Sequence, residues 1–324
     1  CQVFRKTAFV AVTAGLLAVV LAGCGQNSLS TTKSTYTRSG LVASVKGHSN
    51  QKTVSYRLDG QKTKTAKVRN NTFIIQVPTK TTRQTVKLTA GSAKTTVYVK
   101  SAKRLTTYTK MATAYNQALI GSKMTKSQQQ AAQKLQVQGA ALKKQQATIQ
   151  AAVTKAKAQV AAGGTEAATG AATLQAQQAA AAKLQTQAAS LQASQKTVAA
   201  AMKTAKAKVK DELLPTKVPT GVTNVLTTKD YKIRMNVQSG DVMGAPMIVP
   251  TKAFKNKTRQ KNFGTSFALL SSTSGADAKQ VMKKFSKETK SNKSSTTTID
   301  PIVSKGVRFT IGVSSSDLFI FMTK

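Results

Sequence analysis

Tryptophan is absent from this 324-residue chain, histidine occurs once, cysteine twice, and Asp and Glu together only ten times. Each scarcity removes a class of chemistry. With a single histidine, His48, placed by the sequence in a turn with only Asp59 as a nearby carboxylate, Ser-His-Asp and multi-histidine metal arrangements lack parts. Two cysteines cannot make a disulfide framework or a cysteine-rich metal site. Asp230, Asp241, Asp277, Glu288, Asp300 and Asp317 are scattered, and no pair has a spacing suited to shared acid–base work. Gly240 and Gly244 have no strand-to-helix context for phosphate and no Gly-Lys-Thr after them. No catalytic, metal or cofactor-binding residue is therefore assigned, and the chain is read as a non-enzyme.

What the chain has in abundance is positive charge: 50 Lys and Arg, a net charge of +40 and a pI near 10.6. The excess is distributed as +14 on residues 36–104, +11 on 105–214 and +12 on 215–324. Such a balance first suggests nucleic acid, through phosphate neutralisation and counterion release. Only nine of the basic residues are Arg, however, and aromatics make up 5%. Bidentate readers of phosphate and guanine and stacking platforms for bases are thus scarce, and nucleic acid is not the expected partner.

The N-terminus offers a different polyanion. Arg5 and Lys6 precede an apolar run from Ala8 to Ala22, the order of a secretory signal. The run closes on Leu21-Ala22-Gly23-Cys24, which resembles the lipobox of bacterial lipoproteins. The resemblance implies that Cys24 receives a diacylglyceryl group of the palmitate type. Cleavage would then fall between Gly23 and Cys24, and the protein would stay on the extracellular face of the cytoplasmic membrane. Two acyl chains give stable attachment where one is marginal. The alternative is an uncleaved membrane helix over Thr7–Cys24, which at 18 residues sits at the lower edge of spanning length. Cys1, standing where an initiator Met is expected, would leave with the signal, so a mature chain would hold no free thiol. Lysine-heavy, acid-poor composition without disulfides resembles the cell-surface lipoproteins of lactic-acid bacteria and related Gram-positive bacteria.

The expected architecture is multi-domain. A signal peptide over 1–23 is followed by the lipidated cysteine and a flexible Ser/Thr-rich tether over 24–35. Residues 36–104 read as a small all-β sandwich. Val54, Tyr56 and Leu58 alternate with polar neighbours before Asp59-Gly60, and Phe73, Ile75 and Val77 resume the alternation after Asn70-Asn71. Strands at this spacing resemble the immunoglobulin-like modules of bacterial surface proteins, which act as spacers or adhesive units.

Residues 105–214 shift to Ala, Gln and Lys with helical period. Leu105, Tyr108, Met111, Tyr115 and Leu119 mark one amphipathic helix ending at Gly121, and Ser127 with Gln130 has the form of a capping box for the next. Heptad series run through Leu135, Leu142, Ile149 and Ala156, through Leu174 to Val209, and through Leu184, Leu191, Val198 and Ala205. With a tip at Gly163-Gly164 these fold into an antiparallel helical hairpin, a coiled coil in which paired positions sum to about 327. The same seam is also suited to pairing two chains as a homodimer. Residues 215–324 read as an α+β domain, with strands near Tyr231–Val237, Met247–Val249, Phe263–Leu270, Thr296–Ile299, Val307–Val313 and Leu318–Met322, and a helix after Ser274 or Asp277.

The expected function is that of a membrane-anchored extracytoplasmic lipoprotein with a structural or adhesive role. Its basic surface would associate with anionic envelope polymers such as teichoic or lipoteichoic acid. A solute- or peptide-binding lipoprotein using the C-terminal α+β domain is the alternative, and an envelope enzyme the lesser one.

Overall fold

The computed structural model describes residues 27–291 and 298–324. Gly23, Cys24 and the signal segment lie outside the described residues, as do the first residues of the strand expected from Thr296. The chain divides between Lys103 and Arg104 into two compact units. The multi-domain β, helical and α+β composition expected from sequence is present.

The first unit is made of β1 (Leu29–Thr31), β2 (Thr35–Tyr36), β3 (Val42–Ser49), β4 (Thr53–Leu58), β5 (Lys64–Lys67), β6 (Thr72–Pro78), β7 (Gln84–Ala90) and β8 (Ala93–Val99). They form a three-stranded sheet β1-β3-β6 and a five-stranded sheet β2-β8-β7-β4-β5. Strand period two directs Ala43, Val45, Phe73, Ile75 and Val77 from one sheet, and Val54, Val86, Leu88, Val97 and Val99 from the other, into one shared core. The turn signals work as their chemistry requires. Asn70 and Asn71 take φ of 48° and 58°, and Arg69 and Thr72 exchange both backbone hydrogen bonds at 2.9 Å, a type I′ hairpin.

Two expectations are corrected here. The tether is not free over its whole length, because β1 pairs with β3 and β2 runs parallel to β8. Strands of two or three residues carry too little alternation to be read, and their stability comes from the edges they join and from Leu29 and Tyr36 against the core. Gly47 opposite Thr31 is part of that fit, since a Cβ there would collide with the Ser30 carbonyl oxygen and the Phe73 ring. His48 lies within β3, exposed, with Thr72 Oγ1 3.5 Å from its Nδ1, rather than in a turn.

The second unit begins with β9 (Thr106–Thr107) and α1 (Tyr108–Gly121), continues through α2 (Lys126–Ala162) and α3 (Gly164–Lys208), and closes with four strands, two helices and three strands. These are β10 (Gly221–Thr227), β11 (Lys232–Gln238), β12 (Asp241–Gly244), β13 (Met247–Pro250), α4 (Lys257–Thr273), α5 (Ala278–Ser291), β14 (Thr298–Ser304), β15 (Val307–Val313) and β16 (Asp317–Thr323). The antiparallel sheet has the order β14-β15-β16-β13-β11-β12-β9, with β10 also paired to β11. One face is covered by helices: Tyr108, Met111 and Tyr115 of α1, Phe263 and Phe267 of α4, and Val281 and Phe285 of α5 share a core with Ile233, Met235, Phe309, Ile311 and Ile320. The first helix expected within the helical module thus belongs to the core of the C-terminal sheet, and α2 with α3 forms an arm inserted into that domain.

The segment around Phe263–Leu270 is helix α4, not the buried strand expected. Phe263, Phe267 and Leu270 are spaced four and three apart and are all buried, while Asn256 caps the helix by accepting from Arg259 N at 3.1 Å. The four consecutive apolar residues Phe267–Leu270 imitate a strand, and the surrounding period and cap decide against it.

In the arm, α2 and α3 run antiparallel about the glycine tip, Gly163 and Gly164 taking φ of 75° and 60°. At 1.5 Å per residue they are about 56 and 68 Å long. The capping box falls two residues earlier than expected, with Thr125 and Gln128 exchanging bonds at 3.0 and 3.2 Å. The series Leu184, Leu191, Val198 and Ala205 faces α2, as expected, and Leu191 lies against Gly139. The companion series is exposed at Ala181, Ala188, Gln195 and Met202, while its ends, Leu174 and Val209, are half-buried and buried, and between them the contact stripe is turned by one residue toward Thr173, Ala180 and Ala201. Small side chains there, and Gly170 against the Ala156 carbonyl, let the backbones approach.

Candidate anion-binding face

The acids are largely committed to the fold. Asp230 is buried, with Oδ1 accepting from Arg259 Nε and Oδ2 from Asn262 Nδ2, each at 2.8 Å. Burial alone would push its carboxyl up, but the bonds from Asn262 and Arg259 and the charges of Arg259 and Lys229 hold it below the ordinary value. Asp241 pairs with Arg104, and Asp277 caps α5 through Gln280 N at 3.0 Å. Among the described residues no group of three or more His, Cys, Asp and Glu is placed to hold a metal.

A buried group of hydroxyls lies beneath α1 and α4. Ser266 Oγ donates to Tyr231 OH at 2.5 Å and accepts from Tyr115 OH at 3.0 Å, with Glu212 Oε2 3.4 Å from Tyr231 OH. Burial raises the pKa of both phenols, so they remain protonated and act as hydrogen-bonding spacers between helix and sheet. The chain's one imidazole, His48, lies in the first unit.

The feature with binding geometry is the outer face of the five-stranded sheet. Because Val54, Val86, Leu88, Val97 and Val99 point inward, Ser55 and Arg57 of β4, Lys87 and Thr89 of β7, and Lys94 and Thr96 of β8 point out. Register sets Arg57 beside Lys87 and Lys87 beside Thr96, and in the next row Ser55 beside Thr89 and Thr89 beside Lys94. Neighbouring strands are about 4.8 Å apart, so three cations and a field of hydroxyls crowd a few strand widths. A groove of about 370 Å³ runs among them, and Arg57 Nη2 reaches Thr63 Oγ1 at 3.3 Å.

Beside the groove Arg83 lies over the Tyr98 ring, 3.7 Å from its centroid. Residues 27–103 contain one acid, Asp59, and it is used: Oδ2 pairs with Lys80 at 3.1 Å and Oδ1 accepts from Thr85 N at 2.8 Å. Among the described residues Arg57, Lys87 and Lys94 have no carboxylate partner. Such a face can bind anions by charge-assisted hydrogen bonds from Lys and Arg supplemented by hydroxyl donors.

None of these residues was singled out in the sequence. Arg57, Lys87 and Lys94 come from three separate strands, and only register joins them. The available signal was the outward set of β4, β7 and β8, which is Ser, Thr, Lys and Arg apart from Tyr98. The residues the sequence did single out, Gly23 and Cys24, lie outside the described residues. Among those described, no helix is long and apolar enough to cross a membrane.

No family model matches the chain, and no curated protein matches it. Among solved structures, the crystal structure of an FMN-binding beta-glucuronidase from Facaelibacterium prausnitzii L2-6 is similar at 18% identity over 24% of this chain, with a TM-score of 0.21. The match spans 12% of that chain, and at this TM-score it assigns neither fold nor activity.

Proposed function

We propose that this chain is a membrane-anchored extracytoplasmic lipoprotein, lipidated on Cys24, with a structural or adhesive role, and that its basic surface associates with anionic envelope polymers. The observation that carries the binding half is the Arg57–Lys87–Lys94 face, cationic, hydroxyl-rich and without an acid. Support for the anchor comes from Arg5, Lys6, the apolar run and Leu21-Ala22-Gly23-Cys24. A polymer with repeating phosphates suits a sheet face better than a single anion does, because several weak contacts in series add without requiring a closed pocket.

Two measurements test the two halves. Retention of the full chain on immobilised lipoteichoic acid should fall steeply with salt. It should also drop about tenfold in R57Q/K87Q/K94Q, the loss of roughly 1.4 kcal/mol. Retention unaffected by both salt and the triple substitution would sink the polymer association. Mass spectrometry of the mature N-terminus should find a diacylated Cys24, and an unmodified chain beginning upstream of it would remove the anchor.

A further inference from the structure

Among the described residues no helix covers the other face of the C-terminal sheet, and its chemistry differs from that of the first unit's face. On β16, Leu318, Ile320 and Met322 point into the core, so Phe319 and Phe321 point the other way, both half-buried, with ring centroids 6.3 Å apart and planes 15° from parallel. Register puts Ile248 on one side of Phe319 and Gly312 on the other, and Thr310 beside Phe321. A Cβ on Gly312 would meet nothing within 4 Å, so the space beside the Phe319 ring is open. Val303 on β14 is 50% exposed and Val222 on β10 is 37% exposed, extending apolar surface toward both edges. Solvated faces of antiparallel sheets ordinarily carry polar side chains, so this series calls for a partner.

Cations flank the apolar centre on both sides. Arg308 lies on β15, directly opposite Thr323, and Lys232 and Arg234 lie on β11 beyond β13. All three are exposed and have no carboxylate partner among the described residues; Arg234 Nε donates to Asn224 Oδ1 at 2.8 Å. The acids nearest this face are at its margins: Asp317 at the start of β16, accepting from Ser316 Oγ at 2.6 Å, and exposed Asp300 on β14. A second copy of the chain is a poor occupant, because each copy carries +40. A soluble polyanion would need the cations but not the phenylalanines, as the hydroxyl-and-lysine face of the first unit illustrates. Apolar rings flanked by cations on a flat face fit the one environment that is apolar inside and anionic at its surface.

We infer that this face docks on an anionic phospholipid surface, with Phe319 and Phe321 at the boundary of headgroups and acyl chains and Lys232, Arg234 and Arg308 against the headgroups. Aromatic side chains favour that boundary, and juxtamembrane Lys and Arg are attracted by anionic lipid. Docking of this kind goes beyond the lipid anchor and needs no lipid on Cys24, so it is tested without one.

The chain has no tryptophan, which makes a single reporter available. The mature chain, residues 24–324, carrying C24S and F321W is mixed with vesicles of phosphatidylcholine alone or with phosphatidylglycerol. Emission should shift to the blue and be quenched by brominated acyl chains only with phosphatidylglycerol present. In the C24S background, F319S/F321S and K232Q/R234Q/R308Q should each lower co-sedimentation with these vesicles about tenfold, while F319S/F321S leaves lipoteichoic acid retention unchanged and K232Q/R234Q/R308Q lowers it less than R57Q/K87Q/K94Q does. Unchanged tryptophan emission, or co-sedimentation indifferent to the phenylalanine pair, would overturn the inference. Circular dichroism melting of each variant separates lost docking from lost fold. Failure of the polymer reading would appear instead as R57Q/K87Q/K94Q retaining lipoteichoic acid like the parent, a result independent of vesicle binding.

Discussion

Along 17-residue α4, Phe263, Ser266, Phe267, Leu270 and Ser271 are buried, whereas 37-residue α2 buries Ala156 alone and 45-residue α3 buries Gly170, Val198 and Ala205. Both regions belong to one compact unit, and both are helical. α4 is pinned by a sheet below and helices beside it, with the rings of Phe263, Phe267, Phe285 and Phe309 in mutual contact. The arm has one stripe of contact, made mostly by Ala, Gly and half-exposed Leu, and Val137 and Met202 are left 66% and 40% exposed. A helix gains most of its stability from the face it buries, so the arm depends on propensity and capping to a degree that α4 does not. Its Ala, Gln and Lys content supplies that propensity.

Equal truncations should separate the two regions most clearly. Phe267→Ala should cost about 3–5 kcal/mol, since the side chain is wholly buried among other rings. Leu184→Ala, in the half-buried arm stripe, should cost about 1 kcal/mol, only part of the transfer energy of a leucine. Chemical denaturation of the two variants checks the contrast, and similar losses would mean that the arm is packed more firmly than its exposure indicates.

Acid should weaken the sheet-and-helix body before it affects the arm. Asp230 is held below its ordinary value in the fold, so as pH falls the unfolded chain takes up the proton first. Its contribution is complete well above the reference value of 3.8 and is lost as pH falls from there through the folded pKa. Asp230→Asn should lower stability at neutral pH by about 2 kcal/mol and flatten the decline below about pH 4, read from thermal melts at a series of pH values.

The finest distinction lies between two glycines of the arm. Gly139→Ala has its nearest neighbour, Leu191, 3.9 Å from the new Cβ, and should gain up to about 1 kcal/mol from helix propensity. Gly170→Ala would place Cβ 2.7 Å from the Ala156 carbonyl oxygen, so the same propensity gain should be outweighed by about 1–2 kcal/mol of overpacking. Far-UV circular dichroism melts of the two variants should therefore move in opposite directions.

These differences also explain which features could be read from sequence. The Asn70-Asn71 turn, the longer β strands of the first unit, and the Leu184 series were legible because each is set by local chemistry or by a strong period. α4 was not, because a run of four apolar residues satisfies strand and helix alike and hid the longer period of Phe263, Phe267 and Leu270, whose ring partners come from α5 and β15. The orientation of Phe319 and Phe321 was hidden for a similar reason: in Leu318–Met322 every residue is apolar, so alternation gives no sign of which side meets the core. The Arg57–Lys87–Lys94 face required the register of three strands, which no single segment contains.

Insertion of the arm has a consequence for how the chain assembles. Tyr108 OH donates to the Pro215 carbonyl, and Tyr115 OH to Ser266 Oγ, across separations of 107 and 151 residues. Closing loops of that length by random encounter costs entropy that grows as about 1.5RT ln n. The contacts between α2 and α3 extend outward from a two-glycine tip, and the zipped pair returns Ala201 to within about one helix spacing, roughly 10 Å, of Lys126. The search that brings α1 to β11 and α4 is then that of a chain shortened by the arm. The long, thinly packed pair thus works during folding as a splice, joining two halves of a core that the sequence holds far apart.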